Sequence, residues 1–399
     1  LCTNSGEMIK ELFTFNYIEL SLVGITAGLF LIQLLYYLVT YARPLRAAKK
    51  AEREERVTTD REVEPVSVIV YAHGEPENLR KNLPVLLTQD YPDYEVIVVN
   101  DGSDADSEDI LKLFSNEYKH LYYTYVPVDT HYLSHKKLAL TMGIKAARHD
   151  ILLFTEADCR PLGSKWIKTM AGTYNRETEI VLGFCAYRHT EGLLHKLIAY
   201  DNLTCGLQML SSALARHPFT GNGRNLSYRK ELFFAHKGYS KSLNLHAGAD
   251  DLFINEAATR TNTQVQYKAD SITEMEKIED IGIWKEMKVS RAATQRYYKG
   301  TSLAFYRMEN YSNLLFIAAT VATFIIGLLG NWLISVLAGL LLLLRFTTKA
   351  VVMRKAALLL QQKPLTAWLP ILEIIQPAYN IYVRIYRMFK GKRDFTSKI

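Results

Sequence analysis

DILLFTEADC, residues 150–159, is the stretch on which the reading of this chain turns. Its apolar run between turn residues reads as a buried strand, and the two carboxylates of Glu156-Ala157-Asp158 emerge where that strand stops. Two acids separated by one residue can share a hard divalent cation, because oxygen ligands suit magnesium or manganese. Carboxylates capping a helix would explain the same triplet locally. The position at the end of an apolar strand favours the ligand reading.

Working outward, the same alternation recurs. PVSVIVYA (65–72) and YEVIVVNDGS (94–103) read as strands, the second ending in an acidic turn that contains Asp101. Residues 75–88, SEDILKLFSNE (107–117) and HKKLALTMGIKAAR (135–148) read as helices, with a short strand in HLYYTYVPV (120–128) between the last two. Strands alternating with helices predict an α/β domain on a mostly parallel sheet. In such sheets ligands bind beyond the carboxyl ends of the strands, where the turns after VIVVN and ILLF both fall. For Asp101 the competing role is capping of the following helix, which Asp106 or Ser107 could fill alone.

The flanks predict a membrane. YIELSLVGITAGLFLIQLLYYLVTY (17–41) is long enough to span, and Arg43, Arg46, Lys49, Lys50, Arg53 and Arg56 behind it place its end in the cytoplasm. A cleaved signal peptide fits poorly, since Glu7, Lys10 and Glu11 lead the segment and no small-x-small site follows. The first residue is Leu, so a start upstream of it is expected. Apolar runs at Leu314–Leu329 and Trp332–Phe346 flank Gly330-Asn331 and read as a hairpin, with Arg345, Lys349, Arg354 and Lys355 returning the chain to the cytoplasm. The expected layout is an extracytoplasmic 1–16, a span at 17–41, a charged linker at 42–64, a cytosolic domain at 65–300, and spans at 312–330 and 331–348. Residues 365–390 carry Pro370, Glu373, Pro377 and Arg384 and are expected as interfacial or re-entrant helices.

Composition narrows the classes further. The excess of 48 Lys+Arg over 41 Asp+Glu gathers beside the apolar stretches, which points to membrane lipids as partners and away from nucleic acid. Cys2, Cys159, Cys185 and Cys205 form neither a CxxC pair nor a Cys/His set, so no disulfide framework or zinc site is expected. Asn202-Leu203-Thr204 fits the glycosylation pattern but falls in the cytosolic domain.

VSVIVYAHGEPENL, VIVVNDGS, KKLALTMGI, LLFTEADC, TGNGRNLSYRK and GADD follow one another between Val66 and Gly300. That ordered series resembles the inverting family-two glycosyltransferases of GT-A fold. The layout of one leading helix and trailing membrane helices is similar to hyaluronan, cellulose and poly-N-acetylglucosamine synthases and to ceramide glucosyltransferases. The resemblance implies that Asp101, with Ala72 and Glu75, contacts the nucleoside, and that Lys136 lies near base or diphosphate. It implies Asp158 as the principal ligand of Mg2+ or Mn2+, with Glu156 standing where most relatives have Asp. Asp250-Asp251 matches the acidic pair that supplies the base, Asp251 being the first choice and Asp250 the second. Gly221, Asn222 and Gly223 correspond to the acceptor-side loop. Gln295-Arg296 stands where relatives carry a Q-x-x-R-W motif, here with Tyr298 and Lys299 in place of the Arg and Trp. Arg296 or Lys299 could then meet phosphate, or with Arg291 face lipid headgroups.

The expected activity is therefore transfer of a sugar, with inversion, from a nucleotide-sugar donor (UDP-linked) to a lipid or saccharide acceptor at the cytoplasmic face of the inner membrane. A processive polysaccharide synthase that also secretes its polymer, with a separate secretion subunit left open, is the alternative. A non-catalytic sugar-nucleotide-binding protein is the more distant one.

Overall fold

The computed structural model describes residues 16–54, 64–102, 104–126 and 134–389. The expected extracytoplasmic segment up to residue 15, Cys2, Ser103 and linker residues 55–63 lie outside the described residues.

The domain that follows the first span is an α/β unit around a seven-stranded sheet. Strands β1 (Val66–Ala72), β2 (Tyr94–Asn100), β3 (Leu121–Tyr125) and β4 (Ile151–Glu156) pair in parallel, with β1 central between β2 and β4. Beyond β5 (Cys159–Pro161), β6 (Ile180–Leu182) and β7 (Cys185–Tyr187), strand β8 (Leu226–Arg229) runs antiparallel to both β4 and β6. With β9 (Thr263–Val265) the order is β3-β2-β1-β4-β8-β6-β9, a mixed sheet. The expectation of a mostly parallel sheet holds, since β6 and β9 also pair in parallel and β8 alone runs against its neighbours. A second sheet joins β5, β10 (Thr273–Met275) and β7.

Both faces of the main sheet are covered, which explains its unbroken apolar runs. Val66, Val68 and Val70 face one core with Leu79, Leu83, Leu86 and Leu87 of the helix α3 (Pro76–Leu87). Ile69, pointing the other way, packs with Leu140 and Ile144 of α5 (His135–Ala146). Gly143 lets α5 approach closely, since a Cβ there would stand 2.8 Å from the Ile69 side chain. Between these helices α4 (Ala105–Glu117) is capped by Asp104, whose carboxylate accepts from the Ser107 amide at 2.8 Å.

Two further helices precede the domain. α1 (Tyr17–Leu35) continues through a π-helical turn at Tyr36–Tyr41 into α2 (Arg43–Glu54), so the first half of the charged linker is helical. α6 (Leu193–Leu214) is largely buried and runs beneath the domain, while α7 (Asp251–Ala257) opens at the acidic pair. α8 (Ile281–Thr294) leads to the hairpin α9 (Ser302–Leu329) and α10 (Trp332–Leu359), followed by α11 (Leu369–Phe389).

Three helices, 17–53, 302–329 and 332–359, are long and apolar enough to cross a membrane. Two expectations about this region are corrected. The final segment is one continuous helix that absorbs Pro377, and it packs against α8 with Trp284 and Tyr379 stacked at 4.6 Å. Arg345 and Lys349, read from the sequence as charges that return the chain to the cytoplasm, are buried. α10 runs on past Phe346, and Arg345 is fully buried against Glu373, Asn313 and Gln33, while Lys349 Nζ meets Glu373 Oε2 at 3.0 Å.

Candidate active site

The register of the sheet gathers the expected residues at one edge. Tyr71 stands opposite Glu156 and Ala72 opposite Asn100, so the ends of β1, β2 and β4 are level. The Asp101 amide donates to the Ala72 carbonyl at 2.7 Å, and Tyr71 OH donates to Asp101 Oδ2 at 3.0 Å. His135 Nδ1 lies 2.8 Å from Asp101 Oδ1 and His73 Nδ1 3.4 Å from Oδ2, so Asp101 is ringed by Tyr71 and two histidines. Gly102 meets the Gly74 backbone so closely that a Cβ would fall 2.7 Å from its nitrogen. Glu75 precedes α3 and accepts from Asn78 Nδ2 at 2.7 Å; burial pushes its carboxyl pKa up. Ala72 and Asp101 thus stand together, while the charges that face Glu75 are Asp158, Glu156 and Arg224.

Beside them lies a knot of alternating charge. Lys136 Nζ bonds Glu156 Oε1 at 2.5 Å and reaches Asp250 Oδ2 at 3.4 Å. Arg224 Nη2 sits 2.8 Å from Glu156 Oε2 and 2.9 Å from Asp158 Oδ2. Burial opposes the Glu156 charge, yet Arg224 and Lys136 outweigh it and hold its pKa at about 2. Burial likewise works against the Lys136 ammonium, and Asp250 and Glu156 more than compensate. Glu156, Lys136 and Arg224 therefore stay charged at neutral pH.

Does this set suit a metal? Among the described residues no cluster of three or more His, Cys, Asp or Glu donors exists, so the protein offers Glu156 and Asp158. A magnesium-type ion needs only one or two carboxylates together with substrate phosphates and water, and on that chemistry the pair fits. Arg224 occupies the point between the two carboxylates and has to yield for both to be shared.

The acidic pair lies on the other wall. Asp251 is buried; its Oδ2 accepts from Thr294 Oγ1 at 2.5 Å and Tyr298 OH at 2.7 Å, and its Oδ1 from the Leu252 amide at 2.9 Å. Asp250 is more open, and its carboxylate meets Lys136 Nζ at 3.4 Å. Gly223 makes room for it, because a Cβ there would lie 2.5 Å from the Asp250 carboxylate. Gly221 and Asn222 line the same cavity of about 430 Å3 as Lys136, Glu156, Asp250 and Asp251. Gln295 is also on its wall, with Oε1 accepting from Arg307 Nη2 at 3.0 Å. Arg296 is exposed, and the Lys299 amide donates to Asn255 Oδ1.

Arg224, His135 and Thr294 were not picked out from the sequence. For Arg224 the signal was present: it is the one charged residue within TGNG-R-NLS, a small-residue loop already marked as facing the ligand. Tyr298, which stands in place of the Arg of the relatives' motif, hydrogen-bonds Asp251.

Residues 67–234 match the protein family Glycosyl transferase family 2. The chain is 34% identical over 114 residues to Glycosyltransferase AglE of Haloferax volcanii, covering 27% of this chain and 36% of that protein. It is 26% identical over 124 residues to the poly-beta-1,6-N-acetyl-D-glucosamine synthase of Staphylococcus epidermidis, covering 31% of this chain and 28% of that one. The matches thus span only about a third of the length of these curated relatives. In three dimensions the chain is similar to mannosyltransferase PcManGT from Pyrobaculum calidifontis, solved in complex with GDP-Man and Mn2+. The TM-score is 0.56 at 17% identity, over 92% of this chain and 99% of that one.

Proposed function

Since this chain carries a glycosyltransferase family 2 domain on a GT-A fold, we propose that it transfers a sugar, with inversion, from a nucleoside-diphosphate donor to a hydroxyl of a lipid or saccharide beside the membrane. The observation that carries the reading is the single cavity shared by Lys136, Glu156, Asp250 and Asp251, which continues toward the apolar helices. Donor and acceptor can meet there.

Asp101, His135 and the backbone of the close-packed Gly74 and Gly102 would receive the nucleoside, a uridine in the reading favoured here. Asp158 and Glu156 would hold magnesium or manganese, whose chemistry when bound is to neutralise the diphosphate. Lys136 and Arg224 bring two fixed cations to the same place, where negative charge grows as the diphosphate leaves. For the base, the contacts favour Asp250 over the first choice made from sequence. Asp251 already accepts three hydrogen bonds, whereas Asp250 has lone pairs free to take the acceptor proton. Asp251 would then position the start of α7, with Thr294 and Tyr298 holding it. The charged stretch behind α1 supports a catalytic domain on the cytoplasmic face of the inner membrane.

A panel of nucleotide-sugars, followed by release of nucleoside diphosphate with and without Mg2+ or Mn2+, tests the reading on the purified full chain. Release from one donor, stimulated by a suitable acceptor, is expected; no release from any donor would overturn it.

A further inference from the structure

The cavity does not end at the acidic pair. It extends between α8, α9 and α11, where Trp284, Met287, Leu303 and Val383 give it apolar walls and Arg291, Arg307 and Arg384 line it with guanidinium groups. A fourth cation there, Lys288, is neutralised by Asp201 at 2.6 Å. Arg291 has the carboxylates of Asp251 and Asp201 in its surroundings, whereas among the described residues neither Arg307 nor Arg384 has an ion pair. Arg307 Nη2 and Arg384 Nη1 donate only to neutral oxygens, Gln295 Oε1 at 3.0 Å and Tyr311 OH at 2.9 Å. Arg307 Nε is buried with no partner at all. Arg384 stands near enough to Arg307 for the two charges to repel. The arrangement repeats next to the cavity, where Arg387 Nε is buried without a partner and Arg296 is the like charge beside it.

Cations withdrawn from water without a counter-charge are costly, and placing them side by side adds repulsion. Elsewhere this chain pairs its buried cations carefully, as Lys136, Arg224, Arg345 and Lys349 show. Arg307 and Arg384, half-buried, side by side and without an ion pair among the described residues, are therefore matched to an anion from outside, and planar guanidinium groups suit phosphate oxygens best. The apolar walls leading to the spanning helices specify what carries that phosphate.

We propose that this extension binds the phosphate of an amphipathic lipid acceptor, with Arg291, Arg307 and Arg384 around the phosphate and the hydrocarbon chain along Trp284, Met287 and Val383. The inference rests on the transferase reading and names its acceptor class. In the transfer step the lipid-borne hydroxyl gives its proton to Asp250 while its oxygen bonds the anomeric carbon. The bond from that carbon to the diphosphate breaks, and the nucleoside diphosphate leaves with the electron pair.

Titration calorimetry on the full chain in uncharged micelles, with decyl phosphate, decanol, inorganic phosphate and UDP as probes, tests this. Decyl phosphate is expected to bind at least 10-fold more tightly than inorganic phosphate or decanol and not to be displaced by UDP. Arg307→Gln with Arg384→Gln should weaken decyl phosphate at least 10-fold and leave UDP within two-fold. If that pair does not fold, Arg384→Gln alone, on the partly exposed side chain, should weaken decyl phosphate at least three-fold. Unchanged decyl phosphate binding in the variants overturns the proposal. So does inorganic phosphate binding equally well, which makes this a free-phosphate site, or a parallel loss of UDP, which assigns the arginines to the donor diphosphate. The expected binding pattern without turnover of any donor would sink the transferase reading and leave the phosphate site standing.

Discussion

Arg224 grips Asp158 with two nitrogens, Nη2 to Oδ2 at 2.9 Å and Nε to Oδ1 at 3.4 Å, and the same Nη2 reaches Glu156. The guanidinium thus stands where a cation shared by the two carboxylates would stand. Metal and arginine compete for the same lone pairs, so removing the arginine should strengthen metal binding. Arg224→Gln is expected to bind Mn2+ about 10-fold more tightly in the absence of nucleotide, by electron paramagnetic resonance titration. Donor binding without metal should weaken in the same variant, since one fixed cation is gone. Equal Mn2+ affinity in both proteins would show that the two cations do not share the site.

The acidic pair separates into two roles that substitution can distinguish. Asp250→Asn should lower kcat by roughly 10²–10⁴-fold with donor affinity nearly unchanged, the loss expected for a general base. Asp251→Asn keeps the size but turns an acceptor into a partial donor facing Thr294 and Tyr298, so it should lower thermal stability as well as activity. Pre-steady-state turnover with unfolding of each variant makes the comparison. If Asp251→Asn abolished turnover in a fully stable protein while Asp250→Asn stayed active, the assignments would be exchanged.

Glu156 gives the fold an acid limit. Its pKa is lowered from 4.5 to about 2 because Arg224 and Lys136 outweigh burial. A depressed carboxyl contributes stability that is complete above its unfolded value and lost as pH falls through the folded one. The difference in stability between wild type and Glu156→Gln should therefore stay constant from pH 8 to about 5 and shrink from there toward pH 2. About 3 kcal/mol is its ceiling, at 1.36 kcal/mol per pH unit. Thermal unfolding across that range in detergent measures it; a difference that grew on acidification would contradict the pairing.

Much of this was legible because strands write their burial directly into sequence. The runs ending at Ala72, Asn100 and Glu156 are apolar without interruption, and level strand ends bring Asp101 and Glu156 to one edge. The antiparallel insertion of β8 was not legible, since four residues carry no sign of their direction. The roles of Arg224 and Tyr298 were not legible for a similar reason: which carboxylate a long side chain reaches depends on contacts 66 and 47 residues distant in the chain. Arg345 was misread because a charge at the end of an apolar run is ordinarily solvated. Its partner Glu373 belongs to a segment whose own placement was open.

That misreading leads to the last prediction. Glu373 is the one carboxylate that serves both Arg345 and Lys349, and all three are buried where α10 meets α11. Glu373→Gln would strand two cations at once, whereas Lys349→Met removes one cation and leaves the Arg345 pair whole. Breaking a buried pair from one side costs about 3–5 kcal/mol, because the surviving charge is left without compensation. Glu373→Gln should accordingly lower the unfolding temperature in detergent far more than Lys349→Met. Replacing all three together, Glu373→Leu with Arg345→Met and Lys349→Met, should recover most of the loss, since no charge then remains to be solvated. A triple variant as unstable as Glu373→Gln would mean that the neutral partners of Arg345, Gln33 and Asn313, depend on its guanidinium to hold α1 and α9 in place.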